Sequence, residues 1–220
     1  MFKFEKRKGK TLLRKLIVPA LLFALLFAFA APTLAASAAY EATQDMLLSR
    51  VALKVEKYKI NYASLYNIEK VARADLRAAG EKALESKGKV FFNFETLVDN
   101  KIVGRITVNP HQLKSSDGYL NMMIDISSSD VISMTTKAKN HFQKNVAVIR
   151  CMEDHFNMPV TIAAKVDVSG MDKENLVAYY YDAKEDTFTR LGSKNCVVDE
   201  LGFVYVHANQ AGYIVVVDAA

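Results

Sequence analysis

The sequence predicts an α+β protein, in which an N-terminal helical segment packs on a mainly antiparallel β-sandwich with one inserted helix. Two observations predict it. Between residues 41 and 80 apolar residues recur mainly at spacings of three and four, the period of an amphipathic helix. Beyond Lys89, short runs rich in Val, Ile, Phe, Tyr and Thr are separated by Gly, Asp and Asn turn signals, the pattern of a sandwich or barrel.

A leader precedes this material. Lys3, Lys6, Arg7, Lys8, Lys10, Arg14 and Lys15 come before an apolar run at 16–31, followed by Pro32 and Ala36-Ser37-Ala38. A basic stretch, a short apolar stretch and an A-x-A site make a secretory signal peptide, with cleavage expected after Ala38. The alternative is an uncleaved membrane anchor, but the apolar run of 16 residues is shorter than the roughly 20 that cross a bilayer, so cleavage is the expectation, with no stable membrane span after it. The expected divisions are 1–38, signal; 39–87, helical segment; and 88–220, β domain. An exported protein of the cell envelope or extracellular space follows from the leader.

Cleavage changes the charge. The leader holds seven of the 29 Lys and Arg and one of the 24 Asp and Glu, leaving 22 against 23 and a net charge of −1. The basic character of the whole chain therefore belongs to its leader, and nucleic acid is not an expected partner. The remaining residues, about 180, suffice to bury roughly 70% of the unfolded surface without cross-links.

In the helical segment, Leu47, Val51 and Val55 fit a first helix to about Lys57, followed by a short strand through Tyr58, Ile60 and Tyr62. Ser64 can cap a second helix, with Leu65, Ile68, Ala72, Leu76 and Ala79 on its apolar face, Glu69 and Arg73 paired on the outside and Gly80 at its end. Strands are expected at 90–95, 102–108, 119–126, 146–151, 160–166, 176–181, 187–191, 203–208 and 213–217. Between the third and fourth lies the inserted helix, capped by Asp130 or Ser133, with Met134, Ala138 and Phe142 on one face and Asn145 near its end.

The block PVTIAAKVDVSGMDKENLVAYYYDAKEDTFTRLGSKNCVVDELGFVYVHANQAGYIVVVD, with IVGRITVNPHQL some 50 residues earlier, resembles a β-sandwich module of uncharacterised secreted and cell-envelope proteins of Gram-positive bacteria. It is more distantly similar to the sandwich of ankyrins and netrin receptors. The likeness covers about 88–218 and rests on Gly104, Pro110, Gly170-Met171-Asp172 and Gly202. It implies a fold and an exported setting, not an activity. Some netrin-receptor relatives cut themselves at a His-Phe-Ser tripeptide; here His207-Ala208-Asn209 lacks the Phe and the Ser, so self-cleavage does not carry over.

In the run Tyr179-Tyr180-Tyr181, strand alternation puts Leu176, Ala178 and Tyr180 on one face and Val177, Tyr179 and Tyr181 on the other. Packing accounts for both faces, with Tyr180 in the core; the functional alternative is that Tyr179 and Tyr181 stack on sugar rings. Asp182, Glu185 and Asp186 cluster in the next turn, but match no EF-hand spacing and read as a solvated hairpin. Asp117-Gly118 and 199–202 are turn signals.

Cys151 and Cys196 are the only cysteines. Paired, they would close a loop of about 45 residues and contribute about 4 kcal/mol in the chain-entropy model; unpaired, they are small buried apolar groups, which is the expectation here. They make no zinc or redox motif, and His111, His141, His155 and His207 show no metal spacing, so no cofactor is expected. No nucleophile elbow or P-loop is present, and Glu153-Asp154-His155 fits a polar loop between strands as well as a site. The expected function is a non-catalytic structural or binding protein, with cell-wall polymer, glycan or envelope protein as partner. The alternative is a carbohydrate-binding module, and a hydrolase with a carboxylate pair comes third.

Overall fold

The computed structural model describes residues 40–51, 60–85, 89–192 and 196–219. The chain divides into Met1–Ala36 and Ser37–Ala220. The leader and its Ala38 site lie outside the described residues, and all the described elements belong to the second unit.

That unit is an α+β fold in which strands predominate. It opens with β1 (Tyr40–Ala42), helix α1 (Gln44–Val51), β2 (Ile60–Tyr66), β3 (Ile68–Ala72) and helix α2 (Arg73–Glu85). Then come β4 (Lys89–Val98), β5 (Lys101–Val108), the 3-10 turn Pro110–Gln112, β6 (Tyr119–Leu120), β7 (Ile124–Asp125) and helix α3 (Ser129–Phe142). The chain continues through β8 (Val146–Ala164), β9 (Leu176–Asp182), β10 (Thr187–Arg190), β11 (Val197–Val198) and β12 (Val204–Asp218). One sheet runs in the order β10-β9-β12-β8-β5-β4-β2, with β7 on β8 and β11 on β12; β1, β3 and β6 form a small second sheet.

The expected helix from Ser64 to Ala79 is the main correction. Residues 60–72 are two strands, and the helix begins only at Arg73. Asn67, at φ 52°, breaks the strand; its backbone N–H donates to the Glu95 carbonyl and its side chain accepts from the Leu97 N–H at 2.7 Å. β2 therefore lies parallel to β4, from Ile60 beside Lys89 to Tyr66 beside Glu95. Leu65 and Ile68 are buried as predicted, but by strand pairing, and Glu69 and Arg73 form no helical pair. Among the described residues of 39–87, β2 is one of the sheet's own strands and β1 and β3 belong to the small second sheet, so this part is not helical throughout.

Gly80 does not end α2. It sits inside the helix where Pro110 crosses, and a Cβ there would come within 2.9 Å of the Pro110 Cβ. Close approach, not helix termination, explains this glycine.

Two pairs of expected strands merge. The runs at 146–151 and 160–166 are parts of β8, and those at 203–208 and 213–217 are parts of β12. The two long strands form an antiparallel ribbon with an irregular middle: β12 advances four residues from Ala208 to Gly212 while β8 covers nine between Val160 and Cys151. The excess on β8 buries Phe156 and Met158 in the core. One half of the ribbon carries β5, β4 and β2; the other carries β9 and β10.

The main core lies on one face of both halves, with Phe92, Phe94, Ile106, Ile162, Ile149 and Ile214 among its members. Helix α3 covers the reverse face of the second half, where Val131, Met134 and Ala138 meet Val148, Val177 and Val215. The predicted face of α3 is thus the observed one. Its cap is Ser128 rather than Asp130 or Ser133: the Ser128 hydroxyl accepts the Val131 N–H at 3.3 Å, and Gln143 closes the helix in the left-handed region at φ 55°.

Candidate functional site

Among the described residues, no helix lies over the reverse face of the ribbon's first half. Along β4, β5, β8 and β12, core residues such as Phe92, Val108, Val160 and Val206 alternate with residues of opposite direction. The register aligns Asn93 with Thr107, Thr107 with Thr161, and Thr161 with His207, in one polar row across four strands. Within it the Thr107 hydroxyl donates to Asn93 Oδ1 at 2.8 Å, and Thr161 Oγ1 lies 3.0 Å from His207 Nδ1. Two positions along each strand, on the same face, stand Phe91, Asn109, Pro159 and Asn209.

Thr107, Thr161 and His207, with the residues of the second row, floor an open groove of about 560 Å³, while Asn93 at the end of the polar row is buried. Its far wall comes from the second half of the sheet, with Tyr180 of β9 and Thr189, Arg190 and Leu191 at β10. The groove therefore lies where the bulged ribbon brings its two halves together. Its lining residues include Thr, Asn and Gln, with His207, Phe91 and Tyr180, but no Asp or Glu; Arg190 also borders it, though its register partner is Tyr179, on the α3 side of the sheet. Such a surface can hydrogen-bond hydroxyl groups in either direction and cover an apolar ring face.

The tyrosine run divides as alternation requires, but the roles of its faces are the reverse of the expected ones. Tyr181 is only 8% exposed and Tyr179 is half-buried, both beneath α3 with Phe142 and Phe188. The structure places the expected glycan contact, Tyr179 and Tyr181, on the α3 side of the sheet and outside the groove lining. Tyr180 is not a core residue either. The face that Leu176 and Ala178 bury runs out at Tyr180, which is partly buried where it lines the groove.

Tyr181 is anchored by charge. Its hydroxyl donates to Asp186 Oδ1 at 2.8 Å and accepts from Lys137 Nζ at 2.5 Å, and Lys137 and Asp186 form an ion pair. The hydrogen bond from Lys137, with that from Tyr181, holds the Asp186 carboxyl below its ordinary range. The acidic turn is a hairpin end: Asp182 accepts the Lys184 and Glu185 N–H groups, while Asp186 ties the turn to α3.

The other candidate groups lie apart. Glu153 accepts the Asn121 N–H at 2.7 Å, beside a second cleft where Glu41 meets Lys70 at 3.6 Å. His155 gives its carbonyl to Arg73, and His141 stacks between Phe142 and Phe188. His111, in the turn after β5, buries its Nε2 with no hydrogen-bond partner among the described residues. Among the described residues no three His, Cys, Asp or Glu side chains are grouped to hold a metal ion. Cys151 and Cys196 are free and buried, and burial pushes their thiols up to about 12 and about 11.

No family model, curated protein or solved structure matches this chain.

Nothing in the local sequence singles out Phe91, Thr107, Thr161 or Tyr180 as groove residues. Polar residues alternating with apolar ones are what any half-exposed strand displays, and only the register puts Asn93, Thr107, Thr161 and His207 side by side.

Proposed function

We propose that this chain is an exported, non-catalytic binding protein of the cell envelope or extracellular space, and that its ligand surface is the groove floored by Thr107, Thr161 and His207. The leader pattern of residues 1–38 supports export. The two sheet halves around one core support a β-sandwich reading of residues 88–218, with β2 joined to its edge.

The observation that carries the binding reading is the polar row itself. Three strands contribute its groove-lining members Thr107, Thr161 and His207, no helix among the described residues covers them, and hydroxyl, amide and imidazole residues line an open groove. The lining provides contacts for a ligand but no carboxylate pair for hydrolysis, which favours binding over glycoside cleavage at this surface.

A screen of the purified protein against glycans and isolated cell-wall polymers tests the reading. Binding should appear and should be lost in Thr161→Trp, which fills the groove from an outward-facing position, while melting temperature stays within a few degrees. Binding that survives Thr161→Trp would place the ligand elsewhere.

A further inference from the structure

The groove floor ends at β4 on an aromatic pair. Tyr62 of the edge strand β2 stands beside Phe91 in the register, with ring centroids 5.5 Å apart and planes inclined by 32°. Tyr62 is 62% exposed, so it extends the floor by one strand and leaves much of its side chain open to solvent. From β2 through β4, β5 and β8 to β12, steps of about 4.8 Å per strand span about 19 Å. On the other side of the polar row the charges of β4 and β5 are closed on each other. Glu95 is buried, and its Oε1 accepts from Arg105 Nε and Nη2, both at 2.8 Å. No Asp, Glu or Lys lines the groove itself, and Arg190 at its border belongs in register to the α3 side. What the lining offers is the Thr107 and Thr161 hydroxyls, the His207 imidazole and the side-chain amides of Asn109, Gln112 and Asn209.

These features select an uncharged ligand. An ion carried onto this floor would lose hydration without gaining a counter-ion. A side-chain amide donates and accepts at once, and so can hold two neighbouring hydroxyls of one sugar. The C–H face of a pyranose ring is apolar and meets the negative face of an aromatic ring favourably, which gives Tyr62 and Phe91 an occupant. A peptide is less well served. An extended peptide docks through its backbone on a sheet edge, whereas β4, β5 and β8 are hydrogen-bonded to neighbouring strands on both sides, so the floor they form presents side chains alone. We infer that the groove binds an uncharged chain of pyranose sugars, laid across the strands with ring faces on Tyr62 and Phe91 and hydroxyls on Thr161, His207 and Asn209. This rests on the reading of the groove as the ligand surface.

The test is calorimetric titration of the purified protein with neutral oligosaccharides of glucose, mannose, xylose and N-acetylglucosamine, beside oligogalacturonate, poly(glycerol phosphate) and an uncharged peptide mixture. At least one neutral oligosaccharide should bind, with an affinity that changes less than about twofold between about 0.05 and about 0.5 M salt. Tyr62→Ala should weaken it about five- to tenfold and Asn209→Ala about fivefold, both with unchanged melting temperature. Tighter binding of oligogalacturonate, poly(glycerol phosphate) or the peptides would overturn the neutral-sugar assignment; if Thr161→Trp still abolished that binding, the groove would stand as the ligand surface. Glycan binding lost in Thr161→Trp but indifferent to Tyr62→Ala and Asn209→Ala would likewise keep the groove and overturn this inference. Binding indifferent to all three substitutions would overturn both readings. Failure of every neutral oligosaccharide to bind would overturn the inference, while another ligand lost in Thr161→Trp would preserve the groove reading alone.

Discussion

Arg73, in the first turn of α2, reaches 83 residues along the chain to donate from Nη1 to the Phe156 carbonyl at 2.9 Å, and its Nη2 donates to the His155 carbonyl at 3.0 Å. The side chain is buried, with the residue 6% exposed. It thus ties the bulged middle of β8 to the helix, and the same ribbon carries Thr161 into the groove floor.

Arg73→Met should cost about 3 kcal/mol, since two carbonyls lose charge-assisted partners within a packed region. Urea unfolding measures this. Because the bulge also sets the ribbon's course, hydrogen exchange should rise at residues 152–159 in the folded variant. A loss below about 1 kcal/mol would mean that water replaces the guanidinium.

The tyrosines give opposite expectations for neighbouring positions. Tyr181→Ala should cost about 3 to 5 kcal/mol, the usual range for large aromatic truncations in a core. Tyr180→Ala should cost less than Tyr181→Ala, about 1 to 2 kcal/mol, because its ring is only partly buried at the groove wall. Equal losses at both positions would contradict this division of faces.

Gly80→Ala tests the packing of α2 on the turn after β5. In an open helix this change stabilises by about 0.5 to 1 kcal/mol. Here the added methyl meets the Pro110 Cβ at 2.9 Å, and overpacking should reverse the sign to a loss of about 1 to 3 kcal/mol. A rise in melting temperature would show that the turn yields freely.

His111 should make stability depend on pH. Burial, then the Lys89 charge, lower its pKa from 6.5, with Glu81 opposing. The folded state therefore favours neutral imidazole, and the unfolded chain binds the proton first as pH falls. The contribution is complete above about pH 6.5 and is lost as pH descends through the lowered folded value. Denaturant midpoints at pH 7.5 and 5.5 should differ less in His111→Gln than in the parent protein; an unchanged difference would remove His111 as its source.

The cysteines should stay silent until the protein unfolds. With thiols raised to about 12 and about 11 by burial, little thiolate exists at pH 8. Ellman's reagent should detect no thiol in the native protein and two after denaturation without reductant. A reductant should leave the melting temperature unchanged. Detection of none after denaturation would establish a bridge.

Local pattern alone determined several elements. Alternation located β4, β5, β9 and β10, and the four-residue spacing of Met134, Ala138 and Phe142 located α3 and its buried face. Both signals arise within one segment and persist whatever the segment packs against. The spacing of Leu65, Ile68, Ala72, Leu76 and Ala79 suits a helix equally well, yet parallel pairing with β4 and the break at Asn67 make residues 60–72 strands. That choice depends on a partner strand more than twenty residues away, which no local period encodes. The groove is further from local pattern still. Thr107, Thr161 and His207 each read as ordinary outward-facing strand residues, and become one surface through the register of β5, β8 and β12 and the unequal bulge between Val160 and Cys151. Alternation determines that a side chain points away from the core; only tertiary pairing decides which other side chains stand beside it.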